Sequence, residues 1–219
     1  MTDIRVAQVH YPVTVLGPGT RLGIWLQGCH IGCRGCVARD TWDPDAVVAV
    51  PVGRLVRDCT ALVTGELHGV TISGGEPFEQ PEALAVLLAS LRSSLATLAG
   101  AHDIDYLCYS GFRLRDLQRR FPDLLAAFDA VIAEPFVAAQ AGDDPWRGSS
   151  NQPVVTLTAL GQRRYGGTPA AGGPARAVQV QVTAGRMTFI GIPRRGDLSR
   201  VERRLTTAGI ALEQVSWRP

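Results

Sequence analysis

The absences in this sequence bound it first. There is no basic block: 22 Lys and Arg stand against 20 Asp and Glu for a formal charge of +2, and the arginines are scattered, as at Arg194-Arg195 and Arg203-Arg204. Such a chain carries no electrostatic footprint for nucleic acid. No apolar run approaches the roughly 18 residues of a membrane span, and "MTDIRVAQVHYPVTV" lacks a basic region leading into an apolar stretch. The expectation is a cytoplasmic protein with neither nucleic acid nor membrane as partner. Disulfides are also scarce in prospect, because the five cysteines are odd in number and three are too crowded to pair sensibly with Cys59 and Cys108. That argues against a secreted disulfide framework and for metal or redox chemistry.

What is present is enough apolar residue, 46% of 219, to bury a sizeable core, as one domain with an appendage or as two small ones. Strand-like runs alternate with helical patterns. "LGIWLQ" (22–27), "HGVTISGG" (68–75), "DIDYLCYSG" (103–111) and "DAVIAEPF" (129–136) read as strands. Between them, 46–64 is weakly amphipathic, and 81–100 places Leu84, Leu87, Leu88, Leu91, Leu95 and Leu98 at helical spacing between Pro81 and Gly100. Residues 113–128 read as a helix interrupted near Pro122. The alternation predicts an α/β fold with a parallel sheet whose strand-end loops carry the site, with too few units for a complete eightfold barrel. Residues 1–157 are expected to form this domain. Residues 158–177, rich in Gly, Pro and Ala, read as a flexible connector, and 178–219 as a small α+β segment: a hairpin around "TAGR", then a helix that Asp197 or Ser199 could cap.

The chemistry concentrates in "GCHIGCRGCVARDTWD" (28–43), where Cys29, Cys33 and Cys36 follow a strand directly. Structural zinc prefers four ligands, commonly from two Cys-x-x-Cys pairs, and no second pair exists here. His30, as the neighbour of Cys29, would normally point away. A cubane iron–sulfur cluster normally takes four cysteines, so three would leave one iron open to something other than protein. Glycines at 28, 32 and 35 suit a loop folded tightly around such a group. Cys59 and Cys108 read as core, and His10, His68 and His102 as solvated or structural. Asp40, Asp43 and Asp45 read as loop and cap residues.

The Cys-x-x-x-Cys-x-x-Cys spacing resembles the cluster motif of the radical S-adenosylmethionine (SAM) enzymes, and "SGGEPF" (73–78) resembles their Gly-Gly-Glu-Pro motif. "TWD", "LCYSGF" (107–112), "AEPF" (133–136) and "WRGSSNQ" (146–152) narrow the resemblance to the activating proteins of anaerobic ribonucleotide reductase, over roughly residues 10 to 155. It implies a partial βα barrel with a C-terminal hairpin and helix appended. It also implies a [4Fe-4S] cluster on Cys29, Cys33 and Cys36, and SAM beside Gly74, Gly75, Glu76, Pro77, Ser110 and Gly111. By the same resemblance a reduced cluster would cleave SAM to a 5′-deoxyadenosyl radical. That radical would take hydrogen from a glycine of a glycyl radical enzyme, with a flavodoxin or ferredoxin as electron donor. No residue is singled out as a general acid or base. "WRGSSNQ" faces the partner, closes the site, or is a loop anchored by Trp146.

The sequence departs from these activases at Val37 and Ala38, where an aromatic or His and then Asn are common, and at Glu134, where Asp-Gly is frequent. Residues after about 158 have no counterpart in the smallest members. Two other readings therefore stand: a radical enzyme acting directly on a small molecule or peptide, and a zinc or iron–sulfur module without turnover.

Overall fold

The computed structural model describes residues 2–96, 103–167, 177–183, 186–213, 215 and 216. Four parallel strands form its centre: β3 (Arg21–Leu26), β5 (Gly69–Gly74), β6 (Asp105–Tyr109) and β7 (Ala130–Ile132). Antiparallel strands flank them, β2 (Val6–Val13) against β3 and β8 (Val154–Thr156) against β7, giving one six-stranded mixed sheet. A smaller pairing joins β1 (Asp3–Ile4) to β4 (Val50–Pro51). Neither edge strand of the main sheet stands out in the sequence.

Parallel strands that neighbour one another in chain order need crossovers of one sense, which gathers the connecting helices on one face. Those helices are α1 (Val52–Leu62), α2 (Pro81–Leu95), α3 (Leu114–Arg120) and α4 (Pro122–Leu125), the last two separated where Pro122 was expected to interrupt. Their apolar residues share one core with Leu22, Ile24, Leu26, Val70, Ile72, Tyr106, Cys108 and Val131, alternate positions of the four strands. Cys59 and Cys108 belong to that core, as expected. Leu98, Gly100 and His102 lie outside the described residues.

The opposite face holds the remaining alternate positions, and the C-terminal third covers part of it. Helix α5 (Ala159–Tyr165) packs Tyr165 against Leu107, Ala130 and Ile132, with Trp146 edge-on to Tyr165 at 5.7 Å between ring centroids. The expected flexible connector is therefore helical at its start. Thr158 caps α5 through its side chain, and Tyr165 donates to buried Asp105, bonds that composition does not reveal. The rest of that connector, 168–176, lies outside the described residues. The expected hairpin is β9 (Val178–Thr183) with β10 (Arg186–Gly191), and its Ile190 packs with Val13 and Leu16, flanked by Trp25 and Tyr109. Helix α6 (Asp197–Thr207) follows. Its cap is Gly196 in a left-handed conformation, while Asp197 instead accepts from the Arg194 N–H at 2.9 Å.

Two of the histidines read as solvated or structural are tied in. His68 Nδ1 accepts from the Thr20 N–H at 3.1 Å, and the His10 ring meets the Gln179 side chain at 3.2 Å. Among the described residues, no helix is long and apolar enough to cross a membrane.

Candidate functional site

The cysteine loop leaves the C-terminal end of β3 and is laced to its neighbours by backbone bonds. Gly28 N–H donates to Thr41 O at 2.8 Å and Cys29 N–H to Trp42 O at 2.9 Å, so the loop closes on the 3-10 turn that follows it. From the other side, Gly75 N–H donates to Leu26 O at 2.7 Å and Glu76 N–H to Gly28 O at 2.8 Å. Gly75 has to be glycine, because a Cβ there would run into the Gly28 carbonyl. The "SGGEPF" turn and the cysteine loop are thus one unit at the same end of the sheet. Gly28, Gly32 and Gly35 all take positive φ, the backbone expected of them.

Glu76 is 1% exposed and joins the ends of β5 and β6. Its Oε1 accepts from Phe78 N–H at 3.0 Å and from the Ser110 hydroxyl at 2.8 Å, and its Oε2 accepts from Gly111 N–H at 2.7 Å. A carboxylate has about four lone-pair positions, so one remains on Oε2. Burial pushes the Glu76 carboxyl from its ordinary 4.5 to about 7, although the three donors pull the other way. Gly111 also abuts Ile31 of the cysteine loop, its missing Cβ falling 2.6 Å from Ile31 Cδ1. Of the residues expected to face SAM, Gly74, Gly75 and Gly111 are partly exposed, whereas Glu76, Pro77 and Ser110 are buried.

All three cysteines of the loop are free and half-buried. Burial pushes the Cys29 thiol up to about 11 and raises Cys33 as well. The backbone near each sulfur, at Ile31 and Gly32 for Cys29 and at Phe136 for Cys33, opposes that rise. Among the described residues, no three of His, Cys, Asp and Glu form a metal-holding group. The donor set nevertheless fits an iron–sulfur cluster in kind, since it offers three soft sulfur ligands on one loop. His30 is no ligand candidate here. Its ring meets Glu79 Oε2 at 2.7 Å with the side chain 78% exposed.

Residues that sequence reading left undecided form the loop's other wall. The 146–152 loop is stitched to the "AEPF" segment: Asn151 Nδ2 donates to Pro135 O at 2.9 Å, Gln152 Nε2 donates to Glu134 O at 3.0 Å, and Ser149 Oγ accepts from Val137 N–H at 3.1 Å. Asp43 caps its 3-10 turn by accepting from Asp45 N–H at 2.9 Å, as expected of a cap residue.

Comparison with known proteins gives this site its class. Residues 15–155 match the family described as a 4Fe-4S single cluster domain, and the chain belongs to that family. More particularly, it is 31% identical to the anaerobic ribonucleoside-triphosphate reductase-activating protein of Salmonella typhi, over 68% of this chain and 96% of that protein. It is 29% identical to the protein of the same name from Vibrio cholerae serotype O1, again over 68% and 96%, and 30% identical to that of Haemophilus influenzae, over 65% and 92%. These relatives are matched over nearly their whole length, while about a third of this chain lies outside the match.

Proposed function

We propose that this protein is a radical SAM activase that installs a glycyl radical on a partner enzyme related to anaerobic ribonucleotide reductase. The observation carrying the reading is the backbone lacing of the cysteine loop to the Gly74–Glu76 turn, which puts two independent motifs side by side in a chain whose relatives are named activating proteins. Cys29, Cys33 and Cys36 would hold the cluster. When bound, that cluster supplies one electron, cleaving SAM to methionine and a 5′-deoxyadenosyl radical that takes hydrogen from a glycine.

The chain's own residues hold and shield. Gly74 and Gly75 let the turn lie directly on the Leu26 and Gly28 backbone at the start of the cysteine loop, and the remaining lone pair of Glu76 Oε2 is where an ammonium group would be accepted. Ser110 and Gly111 fix that carboxylate so that it keeps its direction when a ligand arrives. The one-way progression of the parallel strands supports a partial-barrel architecture. The reading also includes a flavodoxin or ferredoxin as electron donor and a cytoplasmic location.

One observation favours a second reading. The β9–β10 hairpin lies on the sheet face of Trp25 and Tyr109, and Ser216 Oγ donates to Val37 O at 3.0 Å, beside Cys36. A C-terminal segment so close to the cysteine loop suits recognition of a small molecule or peptide substrate.

The test is anaerobic reconstitution with iron and sulfide, reduction, addition of SAM, and quantification of 5′-deoxyadenosine against Cys33→Ala. Product lost in the variant, together with a glycyl radical signal when a partner reductase is added, is the expected result. A brown, reducible protein that forms no 5′-deoxyadenosine even with partners would leave a non-catalytic iron–sulfur module.

A further inference from the structure

The "WRGSSNQ" loop does specific work on one short segment. Three consecutive side-chain attachments fall on residues 134, 135 and 137: the Glu134 carbonyl to Gln152, the Pro135 carbonyl to Asn151, and the Val137 N–H to Ser149. Gln152 is itself held, since its Oε1 accepts from Ser149 N–H at 3.0 Å, and Ser149 is 1% exposed. Only residue 136 is skipped. Its ring lies against both loops at once, 3.0 Å from the position a Cβ would take at Gly148 and 3.6 Å from that at Gly35, midway between Cys33 and Cys36. Ala138 adds a second contact, 3.4 Å from the same point on Gly35.

The segment is held against a conformational cost. Glu134 has φ +86, a left-handed backbone that a residue with a Cβ rarely adopts. Its N–H donates to Phe112 O at 2.9 Å, its Oε1 accepts from Leu114 N–H at 3.0 Å, and its carbonyl is the one Gln152 takes. So many bonds on a strained residue indicate that the course of 134–137 matters to something it touches, and what it touches is the cysteine loop.

We propose that Ser149, Asn151 and Gln152 are positioning residues for the cluster: they fix Glu134–Val137 as a backstop whose Phe136 ring, against Gly35, sets the Cys33–Cys36 turn. The inference rests on the reading that these cysteines hold a cluster. Solvent exposure around the ligating sulfurs is one of the levers that set a cluster's reduction potential, and outer partners of metal ligands typically change metal affinity about 10–100-fold.

The experiment uses the full chain, reconstituted anaerobically, as wild type, Asn151→Asp and Gln152→Glu, near-isosteric changes that each delete one donor. Tyr165→Phe, remote from the cysteine loop, controls for general destabilisation. Iron and sulfide per chain, the rate of iron loss to a ferrous chelator, and the midpoint potential from an electron-paramagnetic-resonance titration are measured. Both loop variants should load iron yet lose it about 10-fold faster and titrate at a shifted potential, while Tyr165→Phe matches wild type. Loop variants indistinguishable from wild type, or a control that changes as much as they do, would overturn the inference alone. A wild-type chain that binds no cluster would remove the inference and the cluster reading together.

Discussion

The two ends of the parallel strands solve opposite problems with polar residues. At the N-terminal end, Arg21 and Asp105 are both fully buried, and each finds partners. Arg21 gives one guanidinium nitrogen to Asp105 Oδ1 at 2.7 Å, another to Asp105 Oδ2 at 3.1 Å, and its Nε to Thr71 Oγ1 at 2.6 Å. Gly69, on the strand between them, leaves the space the guanidinium crosses: a Cβ there would stand 2.5 Å from Arg21 Cζ. Tyr165 completes the group from α5. At the C-terminal end the cysteine thiols are half-exposed, raised in pKa by burial at Cys29 and Cys33, and among the described residues they form no metal-holding group of three. One end uses up its polar capacity to hold the strands. The other keeps it available for a ligand.

Breaking the closed ion pair should therefore unfold the protein, and removing a sulfur from the open end should cost binding with little loss of fold. Asp105→Ala should have the largest effect, about 3–5 kcal/mol, because it leaves Arg21 buried without its carboxylate. Thermal unfolding of the metal-free chain reads this, and a loss below about 1 kcal/mol would mean that the pair does not secure this end. Gly75→Ala comes next, at about 1–3 kcal/mol, since the loop and turn must part to admit the methyl group. It should reduce iron uptake as well, measured on the same sample.

Glu76 sharpens the comparison by pH. Its folded carboxyl sits near 7, above the ordinary 4.5, so the folded chain binds the extra proton between those values. Stability of the metal-free protein should therefore be full below about 4.5 for this group and fall as pH rises toward 7, and Glu76→Gln should flatten that slope. A slope unchanged in the variant would assign the titration elsewhere. Tyr165→Phe should cost about 1 kcal/mol, the net worth of one hydrogen bond, with the Arg21 pair left intact. The smallest effect on fold is expected for Cys33→Ser, within about 0.5 kcal/mol for the metal-free chain, while cluster loading is lost. A large destabilisation there would mean that the cysteine loop supports the sheet after all.

What the sequence disclosed, and what it hid, follows from how local each signal is. The parallel strands are apolar on both faces and bounded by turns, so "LGIWLQ" and "HGVTISGG" read as strands within their own windows. The cysteine spacing is equally local. β2 is different: "VAQVHYPV" carries His, Gln and Pro, and its outer partners include Gln179, far away in the chain. α5 looks like connector because it opens a stretch, 158–177, rich in Gly, Pro and Ala, and its reason for folding is Tyr165 reaching Asp105. The stitching of 149–152 to 134–137 has no periodicity at all. It consists of side chains bonding the backbone of another loop, which only the three-dimensional arrangement shows.

The Gln179 attachment to β2 also sets an order of events in synthesis. Gln179 Nε2 donates to Pro12 O at 2.8 Å, and Ile190 packs on Val13 and Leu16, so β2 acquires its cover from a segment 167 residues further along the chain. At about 5–20 residues per second, β2 emerges roughly 10–35 s before the hairpin that covers it. During translation the nascent chain holds its cysteine loop and one bare face of its first strands together. Until residues 178–191 are made, Val13, Leu16 and Trp25 lack the apolar cover that Ile190 gives them.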